Sequence, residues 1–307
     1  MSETDFRARG GCGLALPMRA HVESGPSIGQ TRVARWLALR CYWTRRRETG
    51  VARDRLADRR TMTSAGEHAL AVHPAIDWDR AAATIAATGR TRIANFLTEP
   101  SARRLHQNLA SREDWRHVIG SGGKAFEIPA TAYAALAVDT RTTLETTLHR
   151  EATSSFRYRY DTIRVPEATP SFGVAGDPLR QFAALMNGAA MLDRVRTLIG
   201  DDSVALADAQ ATRYRPGHFL NRHDDAVAGK HRRAAYVMGL SRGWRAEWGG
   251  ALAFLDDAGD IAEARNPGFN TLDLFLVPSN HFVACVAPYA GEDRLAITGW
   301  LRATGAP

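Results

Sequence analysis

The stretch ATRYRPGHFLNRHDD, residues 211–225, decides how the chain is read. It alternates up to Tyr214, breaks at Pro216-Gly217, where glycine permits a tight turn, and runs extended into His223-Asp224-Asp225. Side chains two apart on an extended segment point to the same side. His223 and Asp225 can therefore occupy adjacent corners of one metal ion. By itself an H-x-D of this kind arises by chance, and a solvated loop explains it as well.

Further along, His281 opens a second apolar strand pattern, HFVACVA. Two histidines and one carboxylate form a facial set that leaves metal positions open, as non-haem Fe(II) oxygenases require. Zinc hydrolases use similar donors, but they usually take them from helical motifs such as H-E-x-x-H, which is absent here. Thirteen residues after His281 comes Arg294. A dicarboxylate needs a planar cation at its far end, and a guanidinium gives it a bidentate match. Tyr214, on the strand leading toward His223, can donate a further hydrogen bond. Taken singly, His281 reads as structural and Arg294 as an edge-strand surface charge. Trp244 and Trp248 are expected to cover the core rather than line a groove. His218 and His231 are expected to be solvated loop histidines. No G-x-G-x-x-G or P-loop spacing occurs.

Around these residues the pattern is one of short strands. They are expected near 203–215, 232–241, 250–256, 261–265, 271–277, 281–287 and 293–302, which points to a sandwich or barrel. In the first of them Leu206, Asp208, Gln210, Thr212 and Tyr214 share one face, and Ala207, Ala209, Ala211 and Arg213 the other. In the last, Arg294, Ala296, Thr298 and Trp300 oppose the apolar Leu295, Ile297, Gly299 and Leu301. The mixed faces either line a ligand cavity or meet solvent, and alternation alone does not choose. Upstream, order is expected from about Ala75. A strand follows over 91–96, then a helix capped by Thr98 with Glu99 and Pro100 in its first turn. A hairpin is expected around Gly120–Gly123, a helix over 141–151 and a strand over 155–165. Two helices carry the apolar stripes Leu179, Phe182, Leu185, Met186 and Met191, Leu192, Val195, Leu198, Ile199, the second stopped by Gly200.

Together these residues resemble a known family. ATRYRPGHFLNRHDD is similar to the Y-x-x-G-x-F-L-x-x-H-x-D signature of the prolyl 4-hydroxylase-like branch of 2-oxoglutarate/Fe(II) oxygenases. Residues 234–256, AAYVMGLSRGWRAEWGGALAFLD, resemble that branch's strand, tryptophan-rich turn and Gly-Gly-x-L strand. Residues 277–302, VPSNHFVACVAPYAGEDRLAITGWLR, resemble its distal histidine, its basic residue and its closing strand. The resemblance covers about 177–302 well, is weaker over 91–176, and is closest to the ribosomal-protein prolyl hydroxylase and SM-20-like group. It implies a mainly β double-stranded β-helix, or jelly roll, with flanking helices. It implies His223, Asp225 and His281 as ligands of Fe(II), Arg294 and Tyr214 as contacts of the 2-oxoglutarate co-substrate, O2 as oxidant and ascorbate as reductant. It further implies a peptidyl-proline in a protein substrate, which the ribosome could supply, with a small molecule as the alternative. A non-catalytic metal-binding jelly roll is the reading from a different class. Ala296 stands where the family commonly has serine, beside the co-substrate pocket.

Composition narrows the rest. The chain has 307 residues, 45% hydrophobic and 24% charged, ordinary for a globular protein. Its charge of +7 is not spread evenly. Residues 1–61 hold 13 Arg, no Lys and six acidic residues, and the chain totals of 40 and 33 leave 27 of each sign beyond them. The neutral remainder gives no electrostatic case for nucleic acid. Residues 1–61 are expected to be a disordered Arg-rich leader with at most a short helix over 33–43, or the product of a start placed too early, with Met62 the true start. Residues 62–307 are expected to form one domain, its catalytic jelly roll spanning about 203–302. Three cysteines without paired spacing, no apolar run long enough to span a membrane and no secretion signal give an expectation of a cytoplasmic protein. Oligomeric state has no signature in the sequence.

Overall fold

The computed structural model describes residues 69–121, 124–166 and 176–304. The expectations for the leader and for a start at Met62 lie outside the described residues.

The N-terminal half alternates helices with short strands. Helix α1 (Trp78–Thr88) starts where the Asp77 carboxylate accepts from the Arg80 amide, and it buries Ala81 and Ile85. Strand β1 (Arg90–Ala94) and helix α2 (Glu99–Ser111) follow. Thr98 sits at the helix start as expected, yet its hydroxyl donates to Ser101 Oγ rather than capping a backbone amide. Strands β2 (Arg116–Ser121) and β3 (Lys124–Pro129) form the hairpin, and two helices, α3 (Ala130–Ala134) and α4 (Val138–Ala152), lead to β4 (Tyr158–Arg164). Helices α5 (Pro178–Met186) and α6 (Ala189–Ile199) match their apolar stripes, and α6 ends at Gly200. Helices α1 and α3 are additions to the sequence reading. Order also begins before Ala75, because Val72 already bridges Leu97.

The C-terminal half supplies β5 (Val204–Ala207), β6 (Gln210–Tyr214), β7 (Phe219–His223), β8 (Arg232–Leu240), β9 (Leu252–Leu255), β10 (Ile261–Arg265), β11 (Phe269–Leu276), β12 (His281–Val283) and β13 (Arg294–Ala303). Among the described residues these strands join in the order β1-β11-β8-β13-β6-β4-β7-β12-β9-β10, every pair antiparallel, with β5 on β13 and the β2–β3 hairpin on β4. The curled sheet with its flanking helices is a mainly β jelly roll. Two expected strands are corrected. Residues 203–215 split at Asp208-Ala209, where β13 pairs first with β5 and then with β6. Residues 281–287 pair as a strand only to Val283, because Val286 turns away to bridge Gly249.

The alternation on β6 and β13 now resolves. Ala211, Leu295, Ile297 and Leu301 join the main core with Phe182, Met186, Leu192 and Val195 from α5 and α6. Gln210, Thr212, Tyr214, Arg294, Thr298 and Trp300 line an internal cavity instead of meeting solvent. The sheet's apolar face holds the helices, and that fixes its polar face toward the inside of the roll.

Candidate metal centre

Strands β7 and β12 lie side by side with His223 and His281 as direct partners in the antiparallel register. Two positions past His223 the backbone turns sharply at Asp225, whose φ of 64° is left-handed, a conformation Asp tolerates better than most residues. That turn brings the carboxylate back over both rings. His223 Nε2 is 3.6 Å from Asp225 Oδ1, and His281 Nε2 is 3.5 Å from Asp225 Oδ2. Donors about 2.1 Å from a shared ion lie roughly 3.0–3.4 Å apart, so the three atoms fit one ion closely.

The rings are held from behind. His223 Nδ1 lies 2.9 Å from the Asn221 carbonyl and His281 Nδ1 lies 2.7 Å from the Ser279 carbonyl. A carbonyl only accepts, so each Nδ1 carries the proton and each Nε2 presents its lone pair toward Asp225. Burial and the neighbouring His223 hold His281 down, to about 4, which keeps its imidazole neutral and able to bind a metal near neutral pH.

The same cavity, about 90 Å³, is lined by Arg294 and Tyr214 as well as the three candidate ligands. Arg294 is 4% exposed, its Nε has no hydrogen-bond partner, and no carboxylate pairs with it among the described residues. Its guanidinium lies 4.9 Å from the centre of the Tyr214 ring, its partner in the β13–β6 register. Burial lowers the Arg294 pKa and raises that of Tyr214. A buried cation without a counter-ion is costly. One facing a cavity beside a metal-sized gap fits the far carboxylate of a dicarboxylate bound there. Tyr160 stacks on Tyr214 at 5.4 Å and closes one wall. Leu252, Phe275 and Val283 make another wall apolar.

Other expectations fare differently. His231 is exposed, as expected. His218 is not a solvated loop residue; it is 1% exposed and gathers with His117 and Asp161. Trp244 and Trp248 are half-buried and meet edge to face at 5.4 Å, Trp244 packing on Tyr214, Val283 and Val286. Sequence reasoning missed Arg232, which stacks 3.6 Å over the Trp300 ring and donates through Nη1 to the Asp225 carbonyl at 2.9 Å. No motif marks it, because the contact arises only when β8 and β13 pair.

His117, Asp161 and His218 also place three potential donors together. His117 Nδ1 is 2.7 Å from Asp161 Oδ1, and Arg213 and Arg215 approach Oδ2 of the same carboxylate at 2.9 and 3.1 Å. Arg159 Nε reaches His117 Nε2 at 3.4 Å. Two guanidiniums on the carboxylate and a third on the His117 ring oppose a further cation, so this group is read as a structural network.

Residues 209–302 match the profile of the 2OG-Fe(II) oxygenase superfamily, a span that contains His223, Asp225, His281, Arg294 and Tyr214. No curated protein matches the chain. Among solved structures, it is similar to a prolyl-4-hydroxylase from Pseudomonas putida, with 21% identity over 74% of this chain and 99% of that one and a TM-score of 0.48. An oxidoreductase of the 2OG-Fe(II) oxygenase family from Burkholderia pseudomallei gives 16% identity, 80% and 96% coverage and a TM-score of 0.48. A prolyl hydroxylase from Trichoplax adhaerens, solved with a hypoxia inducible factor peptide fragment, gives 14%, 74% and 89%, and 0.49.

Proposed function

We propose that this chain is an Fe(II)- and 2-oxoglutarate-dependent dioxygenase that hydroxylates a C–H bond. The observation that carries the reading is the convergence of His223, Asp225 and His281 in one cavity with a buried, unpaired Arg294. Bound there, iron and 2-oxoglutarate supply the oxygen activation: O2 puts one oxygen atom into the substrate C–H bond and the other into succinate, with release of CO2.

The chain's own residues do the positioning. His223 and His281 offer neutral Nε2 atoms, each fixed by its carbonyl partner. Asp225 offsets part of the metal charge. Arg294 forks onto the distal carboxylate of the oxo-acid, and Tyr214 packs beneath the guanidinium. The apolar wall of Leu252, Phe275 and Val283 keeps bulk water from the reacting atoms.

Within this class the finer reading is a prolyl 4-hydroxylase-type protein hydroxylase of the ribosomal-protein and SM-20-like group. It would act on a peptidyl-proline in the cytoplasm, with ascorbate keeping the iron reduced. The three sequence segments over residues 211–302 support that reading. The test is succinate release from 2-oxoglutarate with Fe(II) and ascorbate, in parallel with oxygen incorporation into proline of candidate proteins read by mass spectrometry. Metal binding without any succinate would leave only a metal-binding jelly roll.

A further inference from the structure

The cavity at the metal centre is small, about 90 Å³. An ion and an oxo-acid held there would compete with any further molecule for that space, so an adjoining space is the natural approach for the molecule to be oxidised. One such space is a second cavity of about 230 Å³, which shares Gln210, Thr298 and Trp300 with the first.

This second cavity is basic. Its charged lining is Arg164, Lys230, Arg232 and Arg302 against the single carboxylate of Asp208. Arg302 engages Asp208 at 3.1 Å, and Arg164 pairs with Glu127. Lys230 and Arg232 remain. Asp225 lies 3.7 Å from Arg232, but its charge is directed at the ion it would hold. At Trp300, which lines both cavities, and at Arg232, which lines the second, two buried donors lack acceptors: Arg232 Nε and Trp300 Nε1. The Arg232–Trp300 stack, at 3.6 Å, keeps these donors together. Buried donors are rarely left unpaired in a folded protein unless water or a ligand completes them.

We propose that the substrate carries a carboxylate, which docks on Arg232 and the Trp300 indole N–H with Lys230 at the outer rim, while its C–H bond faces His223, Asp225 and His281. A two-oxygen acceptor matches two neighbouring donors, and the surplus positive charge draws it in. The inference rests on the dioxygenase reading. The carboxylate belongs either to a free acid or to an acidic residue beside the target in a polypeptide.

The experiment offers the full chain, with Fe(II), 2-oxoglutarate and ascorbate, two matched pools. One contains free amino acids and their carboxamides. The other contains blocked peptides with Asp or Glu next to each residue type, and their Asn or Gln counterparts. Oxidised members are identified by the mass of one added oxygen, with succinate measured alongside. The expected result is that acids are oxidised at least about tenfold faster than their amides, because a site built to pair donors rejects a ligand that leaves them unpaired. Which pool yields product identifies the source of the carboxylate. Lys230→Glu is expected to raise KM for the oxidised acid roughly two- to fivefold, and by more than for its amide. Equal oxidation of acids and amides overturns the inference, as does succinate release with no acidic member oxidised. Absence of succinate under every condition instead removes the dioxygenase reading, and this inference with it.

Discussion

His223 and His281 are direct partners across β7 and β12, their ring centroids 4.1 Å apart, and each turns its Nδ1 onto the carbonyl two residues before it. Fifty-eight residues separate them in the chain, yet the same local device orients both. The pair is therefore preorganised by backbone, and only Asp225, on its left-handed turn, completes the set from a side chain beyond the strand.

Removing that carboxylate is the sharpest test of the centre. Asp225→Ala leaves the two imidazoles in place and deletes the one anionic donor. Succinate release is expected to fall by more than about 100-fold, since even partners behind the ligands typically account for 10- to 100-fold. Circular dichroism and bound-iron content check that the fold survives while metal is lost. A variant with undiminished succinate would refute the three-residue set.

Arg294 gives a prediction in which stability and binding move apart. Its guanidinium is buried without a counter-ion, so the ligand-free protein carries the cost of its desolvation. Arg294→Met keeps the stem and removes the charge. The variant is expected to melt no lower than the wild type without ligand, and to lose the rise in Tm on adding 2-oxoglutarate. For the wild type that rise corresponds to about 2.7 kcal/mol at a hundredfold excess over Kd. Calorimetry with and without the oxo-acid reads both. An unchanged ligand-induced shift in the variant would mean that Arg294 does not hold the co-substrate.

Gly250 ties the tryptophan turn to the same guanidinium. It has a φ of +66°, and a Cβ built there would lie 3.2 Å from Arg294 Cδ, 3.2 Å from Trp244 Cζ2 and 3.3 Å from Val286 Cγ2. Gly250→Ala is expected to cost about 1–3 kcal/mol from backbone strain and overpacking. It should also raise KM for 2-oxoglutarate through displacement of Arg294. Denaturant melts and 2-oxoglutarate titrations check the two effects; a normal KM with lowered stability would confine Gly250 to a structural role.

The candidate site was legible because its signals are local. His223 and Asp225 stand two apart in one motif, although a left-handed turn at Asp225, not the extended backbone expected there, brings them together. Arg294 opens a strand of clear alternation, and the motif segments fix their order. What sequence left open was anything set by pairing between strands. Alternation on β6 and β13 could not say which face looked inward until the helices α5 and α6 covered Ala211, Ile297 and Leu301. Arg232 carries no signature, because its place over Trp300 follows from the β8–β13 register. His218 reads from sequence as a loop histidine for the same reason: His117 and Asp161 meet on paired strands β2 and β4, remote in sequence.

That buried histidine predicts how stability responds to acid. His218 is 1% exposed, neither ring nitrogen has a partner, and burial holds its pKa well below the usual 6.5. Burial lowers His117 too. Above pH 6.5 both rings are neutral in the folded and the unfolded chain, so they add no pH dependence. Below 6.5 the unfolded chain takes up protons that the folded chain refuses, and stability falls with falling pH, by at most about 1.4 kcal/mol per unit for each such group. Asp161 acts in a lower window. Burial alone would raise it, but His117, His218 and the surrounding arginines outweigh that and hold it at about 2, so the stability it contributes is lost as pH falls from 3.8 toward 2. His218→Phe removes one proton site and two unpaired nitrogens while roughly keeping the ring volume. Its Tm is expected to match or exceed that of the wild type at pH 6, and to decline less steeply between pH 6.5 and 5. Because His281 titrates in both proteins, the difference between the two Tm curves isolates His218. Parallel curves over that window would show that the ring is protonated or solvated in the fold.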